Sequence, residues 1–510
     1  MILGGNERDA AGDRTTLDDL FRRAGVRHPD AIALADPPNR ETFTDGAPRR
    51  LTYAQADRAI SAFAAKLRKL GLQSDAVVAM QLPNTTESVI ALLGVLRAGM
   101  IAVPLPLLWR KRDMIAALRS VGAKAIVTAA RIGSTAHAEL AAQVAAELFS
   151  VRVVCAFGEA LPDGVVPLDE IFDPGVADLV PPLPRSVNGA AHVAVVTFDV
   201  ASDGQRAMAR NHIELIAGGL GAYLESGASL DLKMLSAIPL GSFSGIALTV
   251  VSWLLGGGTL QLHHAFDVET FTAQCRMQAG GTIVLPGPAF ALLAHGNWLG
   301  RPESIIALWR SPERMQNHEP WSGAAKLIDV ASFGEIGLLS ALRGADGVPV
   351  PMPYGSIGTP RGGTGAITVI EALRTPAGTL ALRGPMVPAH AYPPGAERGA
   401  EPHLKTDTLG FIDTGFFCRL VREGQHLFID GPPAGITSVG GYRFRQNDVD
   451  WLVADADIEA IIVALPDVIL DRRFAGSAPE RAVAAEDLDA RGVNPLIAGA
   501  FRRRIIADAA

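Results

Sequence analysis

Between Leu51 and Ala129 the chain alternates three times between segments with apolar residues at helical spacing and short runs that are apolar throughout. LTYAQADRAISAFAAKLRKLGL (51–72) reads as an amphipathic helix stopped by Gly71, a C-cap, and AVVAMQLPN reads as a strand ended by Pro83 and Asn84. SVIALLGVLRAGMIAVPL and MIAALRSVGAKAIVTAA repeat the order of helix, glycine turn and strand. Such alternation predicts βαβ units around a mostly parallel sheet. It recurs from about residue 190 to 345.

Elsewhere the texture changes. Residues 159–190, rich in Pro and Gly, predict a surface connection between two layered units. From about 346 to 430, short segments such as AITVIEAL and GTLALRGPMV predict β-strands of a small barrel or sheet. GPPAG (431–435) marks a linker to a final unit of about eighty residues. At 510 residues the chain is too long for one ordinary core and implies several packed domains.

Several function classes fall away. The net charge of −7, with no block of Lys or Arg, gives no nucleic-acid surface. Cys155, Cys275 and Cys418 lie far apart and form no metal-ligand spacing or disulfide framework, which fits a reducing cytoplasm. The polar N-terminus has no signal-peptide core, and the most apolar stretch, Ile246 to Leu255, is about half a bilayer span and reads as a buried helix. The sequence therefore predicts no membrane span. GSFSG (241–245) centres on Phe243, so it is not a hydrolase elbow, and no convincing GxGxxG follows a strand.

The order and spacing of these segments resemble the adenylate-forming superfamily of acyl-CoA synthetases, luciferases and peptide-synthetase adenylation domains. The likeness runs through LTYAQAD, VVAMQLPNTTESVIALLGVLRAGMIAVPL, IPLGSFSG, GGTLQLHHAFDVETF, LALRGPMV, FIDTGFF, HLFIDG and GITSVGGYRFRQNDVD, and covers nearly the whole chain. It implies an acetyl-CoA synthetase-like α/β fold. The large N-terminal domain, 1–430, would comprise two α/β units (about 1–190 and 191–345) plus a small β-barrel (346–430). A shortened α+β C-terminal domain would occupy 431–510. It also implies a chemistry. A carboxylate attacks the α-phosphorus of ATP, with Mg as companion ion, and CoA or another thiol then displaces AMP. The expected partners are a small carboxylic acid or acyl group and an acyl carrier or partner enzyme.

The motifs that would carry this chemistry are degenerate. The phosphate loop matches Thr197 to Arg206, where Ser202 and Gly204 remain as loop residues and Arg206 falls at the lysine position. Asp199 and Asp203 stand where phosphates belong, and like charges at about 5 Å cost several kcal/mol at intermediate dielectric. His212 follows at the family's Thr/Ser-His pair, and Ser242 replaces the residue that gates the acyl pocket. The adenine and magnesium motif reads Phe333-Gly334-Glu335-Ile336-Gly337: the aromatic is kept, but the metal-binding glutamate position is Gly337, with Glu335 two residues early. Arg310-Ser311-Pro312-Glu313 replaces a glycine pair beside the substrate and narrows the cleft.

The ribose-binding Thr-Gly-Asp becomes Thr414-Gly415-Phe416, and phenylalanine accepts no hydrogen bond. Asp407 is the one nearby carboxylate that another register would recruit. Gly431-Pro432-Pro433 stiffens the hinge, while the thiolation-side glycines Gly440 and Gly441 persist. No lysine follows Lys405, and the terminal Arg502, Arg503 and Arg504 read as a solvated helix face. Two readings stand. A working ligase needs Asp407, Glu335 and Arg206 together for ribose, metal and phosphate. A chain with weak or lost adenylation keeps the scaffold to bind an acyl group, carrier or partner enzyme.

Overall fold

The computed structural model of the chain describes residues 15–502 except 176–187, 228–229, 265, 295–297, 316–318, 359–367, 390, 400–401, 422–424, 457–458 and 469. Arg503, Arg504 and most of the polar N-terminal stretch lie outside the described residues.

The alternating region folds as its periodicity predicts. The helix Tyr53–Lys69 starts at Thr52, whose hydroxyl and the Gln55 side chain form a reciprocal capping box. It ends just before Gly71, which takes φ 80° and turns the chain. The strands Val77–Gln81, Ile101–Pro104 and Ala125–Ala129 are buried along their whole length, which explains why they are apolar throughout. They sit in a seven-stranded sheet ordered Val166–Pro167, Val153–Phe157, Ala125–Ala129, Val77–Gln81, Ile101–Pro104, Val193–Ala201 and Gly204–Asn211. Every neighbouring pair is parallel except the last.

A second sheet has eight strands. Its order is Gly337–Leu342, Lys326–Phe333, Ser304–Trp309, Thr282–Pro286, Lys233–Ser236, Thr259–Leu262, Ile32–Ala35 and Arg50–Thr52. Only the two outermost pairs are antiparallel. The two α/β units therefore exchange strands and do not divide at residue 190. Ile32–Ala35 pairs with Thr259–Leu262, and Val193–Ala201 pairs with Ile101–Pro104. Segment 346–430 gives a six-stranded antiparallel sheet, as predicted. One apolar core joins all three sheets through residues such as Met80, Met234, Ile306 and Leu380.

The expected helix at Ile246–Leu255 is present but locally widened. Ile246–Val251 forms a π-helical run continued by the α-helix Ser252–Gly256, and Ile246–Leu254 is fully buried. Gly218 and Gly219 of the facing helix His212–Ser226 let it approach closely. A Cβ on Gly219 would lie 2.6 Å from the Ala247 carbonyl oxygen. Among the described residues no helix is long and apolar enough to cross a membrane.

Beyond Pro433 the chain forms a hairpin, Ile436–Val439 with Tyr442–Arg445, then a helix, a second hairpin and further short helices. This part packs around its own core, which includes Val439, Val449, Phe474 and Leu488. Gly440 and Gly441 form the first hairpin's two-residue turn, with φ 58° and 79°. Positive φ at both central positions is the turn type that matches strand twist, and it explains a Gly-Gly pair here.

Candidate functional site

A cavity of about 310 Å³ lies off the carboxyl ends of the parallel strands of the eight-stranded sheet, where open α/β sheets commonly bind ligands. Ile238, Pro286, Trp309 and Gly334, which end or follow four of those strands, form its floor. Leu107, Trp109 and Phe198 wall it from the seven-stranded sheet. Gly440, Gly441, Tyr442 and Arg443 of the C-terminal hairpin close it as a roof.

Several bonds hold the roof. Arg443 forms an ion pair with Asp199 of the strand Val193–Ala201, 244 residues away in sequence. Arg310 Nη1 donates to the Gly441 carbonyl at 3.1 Å, and the Leu108 N–H donates to Tyr442 Oη at 3.3 Å. Arg314 pairs with Asp471 at 2.8 Å beside the same rim. Gly334 permits the Asp199–Arg443 contact: it takes φ 61°, and a Cβ there would stand 2.6 Å from Asp199 Oδ1.

Of the residues singled out in the sequence, Asp199, Ser242, Arg310, Ser311, Gly334, Glu335, Gly440 and Gly441 come together on this cavity. Glu335 Oε2 accepts from the Phe243 N–H at 2.7 Å and so caps the start of a helix. Burial pushes its carboxyl above the usual glutamate range, opposed by the Phe243 amide and the Arg210 charge. Arg210 itself is 1% exposed, stacks 3.6 Å over the Phe243 ring and donates to the carbonyls of Glu335, Ile336 and Met386. Burial lowers it to about 10. Among the described residues no group of three or more His, Cys, Asp or Glu side chains could hold a metal ion. Glu335 thus stands as a single carboxylate already engaged by an amide.

The remaining candidates are placed elsewhere. The predicted phosphate loop is a strand hairpin, Val193–Ala201 with Gly204–Asn211, in which Asp199, Val200 and Ala201 pair with Arg206, Gln205 and Gly204. Ser202 and Asp203 form the turn. The ladder takes up alternate backbone N–H groups of this segment and holds it extended, and the Val200 N–H donates to Asp199 Oδ1 at 3.0 Å, so the backbone does not form an open loop that wraps phosphates. Arg206 Nη2 donates to Asp203 Oδ1 at 2.7 Å, and Gly204 packs on Pro402. None of Ser202, Gly204 and Arg206 lines the cavity.

His212 begins the helix His212–Ser226, and its Nδ1 accepts from the Leu17 N–H at 3.2 Å, tying the N-terminal helix down. Asp407 is exposed and accepts from the N–H groups of Leu409 and Phe411 in a turn. Thr414 is buried and donates to the Leu380 carbonyl at 2.7 Å. At the ribose position Phe416 is 1% exposed and meets Phe333 edge-on, with centroids 5.5 Å apart. Phe333 is equally buried and lies outside the cavity lining, so neither ring presents a free face there. Cys155, Cys275 and Cys418 are buried free thiols.

Sequence reasoning missed Arg443, Tyr442 and Arg210. The signal for Arg443 was the YRFR run after Gly441, whose alternation puts Arg443 and Arg445 on one strand face.

A sheet pair of this topology, with a cavity at its strand ends and a small C-terminal roof, defines the AMP-binding type of fold. The chain matches the family of AMP-binding enzymes over residues 21–297 and belongs to it. That family is the adenylate-forming, acyl-CoA synthetase-like one. Among curated relatives it is 26% identical over 267 residues to Long-chain fatty acid transport protein 1 of Bos taurus, covering 51% of this chain and 39% of that protein. It is 35% identical over 118 residues to Long-chain-fatty-acid–CoA ligase of Haemophilus influenzae, covering 23% and 19%. These matches span well under two thirds of the relatives' lengths.

Solved structures show the same fold over nearly the full chain. The amide bond synthetase McbA from Marinactinospora thermotolerans superposes with a TM-score of 0.68 at 18% identity, covering 94% of each chain. NpsA-ThdA, an artificially fused adenylation-PCP di-domain from Klebsiella oxytoca, gives 0.65 at 17%, covering 94% and 91%.

Proposed function

We propose that this chain binds a carboxylic acid or acyl group in the family's cavity and has weak or no capacity to adenylate it. The observation that carries the proposal is the closed hairpin Val193–Asn211. Its ladder holds extended the backbone that would have to curl around a triphosphate, and its Asp199 is neutralised by Arg443. Phe416 at the ribose position and the amide-capping role of Glu335 support the same reading. Each of these substitutions removes interactions that stabilise the family's transition state. The names of the curated relatives, a fatty acid transport protein and a fatty acid–CoA ligase, support an acyl ligand. An acyl carrier or partner enzyme would deliver or receive that group.

The test is pyrophosphate exchange over a panel of carboxylic acids, with a thermal-shift screen against ATP, AMP and CoA. No exchange and no nucleotide-dependent shift is expected. Robust exchange would refute the proposal in favour of a ligase that uses Asp407, Glu335 and Arg206.

A further inference from the structure

The exposed large apolar side chains are not spread evenly over the chain. Among the described residues, five of them fall within residues 461–470: Ile461, Val463, Leu465, Val468 and Leu470. No ten-residue stretch outside this segment holds more than three. Apolar surface gathered in this way marks an interaction site.

The segment belongs to the hairpin of Ile461–Asp467 with Asp471–Ser477, a two-stranded sheet with an unbroken antiparallel register. Ile462 and Phe474 turn inward to the C-terminal core. Ile461, Val463 and Leu465 point the other way and are 70%, 48% and 39% exposed. Among the described residues Ile461–Asp467 has no strand on its outer side, so that side keeps unpaired N–H and C=O groups. Natural edges are blunted by charge, proline or a bulge. From Ile461 to Leu465 this edge has none of them. Pro466 then stops the open run.

The edge is complementary to itself. Antiparallel pairing about a two-fold axis at Val463 sets Ile461 against Leu465 of the second copy and Val463 against Val463. Glu459 is exposed just ahead of the strand, and Arg473 stands opposite Leu465 near its far end. The antiparallel arrangement brings each Glu459 to the end that carries the other copy's Arg473, whose own partner, Asp467, is at a loose 3.8 Å. A parallel arrangement would set Glu459 beside Glu459.

We infer that this edge joins two copies of the chain in a continuous four-stranded sheet. Both copies use the same edge, so the pairing closes at two and builds no fibre. A strand pair of this length lies at the small end of specific interfaces, which makes the dimer reversible and concentration-dependent. The hairpin's turn also carries Leu470 and Asp471 onto the cavity rim, where the Leu470 carbonyl accepts from the Gly440 N–H at 3.0 Å. Dimerisation therefore ties the two roofs together across the axis. The pairing is independent of whether the cavity's ligand is adenylated.

Sedimentation velocity of the full chain over about a hundredfold range of concentration tests the inference, alongside Val463→Lys, Val463→Cys and Val483→Cys. A reversible monomer–dimer equilibrium is expected, weakened at least tenfold by Val463→Lys. The two-fold axis places position 463 opposite itself, within the Cα separation that a disulfide spans. Val463→Cys should therefore form a covalent dimer on mild oxidation, while Val483→Cys, similarly exposed on a helix, should not. The natural cysteines are buried and do not compete. A chain that stays monomeric, a dimer that Val463→Lys leaves unchanged, or equal crosslinking at 463 and 483 overturns the inference. So does flotation of the monomer on phosphatidylglycerol vesicles, which would assign the apolar edge to a bilayer. If circular dichroism shows Val463→Lys misfolded, the two cysteine variants decide.

Discussion

Arg443→Met tests how the roof is held. The change strands Asp199, whose side chain is 4% exposed and fixed on the strand Val193–Ala201, while Arg443 at 12% sits on the roof. Removing one partner of a buried ion pair typically costs about 3–5 kcal/mol. The roof offers a way out, because lifting the hairpin lets water reach Asp199. Its other fasteners are the Arg310–Gly441 and Leu108–Tyr442 hydrogen bonds and the Arg314–Asp471 pair. At about 1–2 kcal/mol each they total about 4 kcal/mol. The two terms are similar, so Arg443→Met should populate a lifted roof.

Hydrogen exchange of the strands Ile436–Val439 and Tyr442–Arg445 reads this out. A loss of about 3 kcal/mol corresponds to a protection decrease of on the order of a hundredfold. Asp199→Asn should cost less, since Arg443 can swing toward solvent, and the double variant should recover much of the Arg443→Met loss, with a coupling of about 2 kcal/mol. Protection within threefold of the unmodified chain, or strictly additive effects, would refute the pair as the principal fastener.

Three further outcomes are expected. His137 is buried and lowered to about 4 by desolvation. Its neutral form favours the fold fully above its ordinary value of 6.5 and progressively less as the pH falls toward 4. Urea unfolding should therefore lose about 2 kcal/mol from this residue between about pH 7.5 and pH 5, and His137→Gln should flatten that slope. Gly245→Ala should destabilise by more than about 3 kcal/mol in urea titrations, because its Cβ would stand 2.0 Å from the Pro239 carbonyl oxygen. Phe416→Asp alone should restore no pyrophosphate exchange, since the hairpin ladder and the Asp199–Arg443 pair remain.

Much of the layered architecture could be read from the chain because it is written locally. Gly71 stops a helix, and Val77–Gln81 is apolar because both its faces are covered. Sheet order was less legible, since Ile32–Ala35 finds its parallel partner more than two hundred residues later. Half of the site showed the same contrast. Glu335 and the Gly440-Gly441 turn were visible as motif remnants, and Arg310 as a bulky intrusion. The partnership of Asp199 with Arg443 was not, because the anion alone read only as a repulsion against phosphate. Thr197 to Arg206 read as a loop because the family likeness outweighed the strand-forming Val-Ala-Val-Val-Thr-Phe run before it.

The tight turn at Ser202-Asp203 also bears on how such a chain could be re-engineered or could revert. A triphosphate cradle needs a length of unpaired backbone, and point substitution adds none. Because the turn lies at the open end of its ladder, residues inserted between Ala201 and Gly204 would lengthen the tip without shifting the register from Val193 to Ala201. On the proposed reading, a gain of nucleotide binding would run through insertion before it runs through any change of side chain.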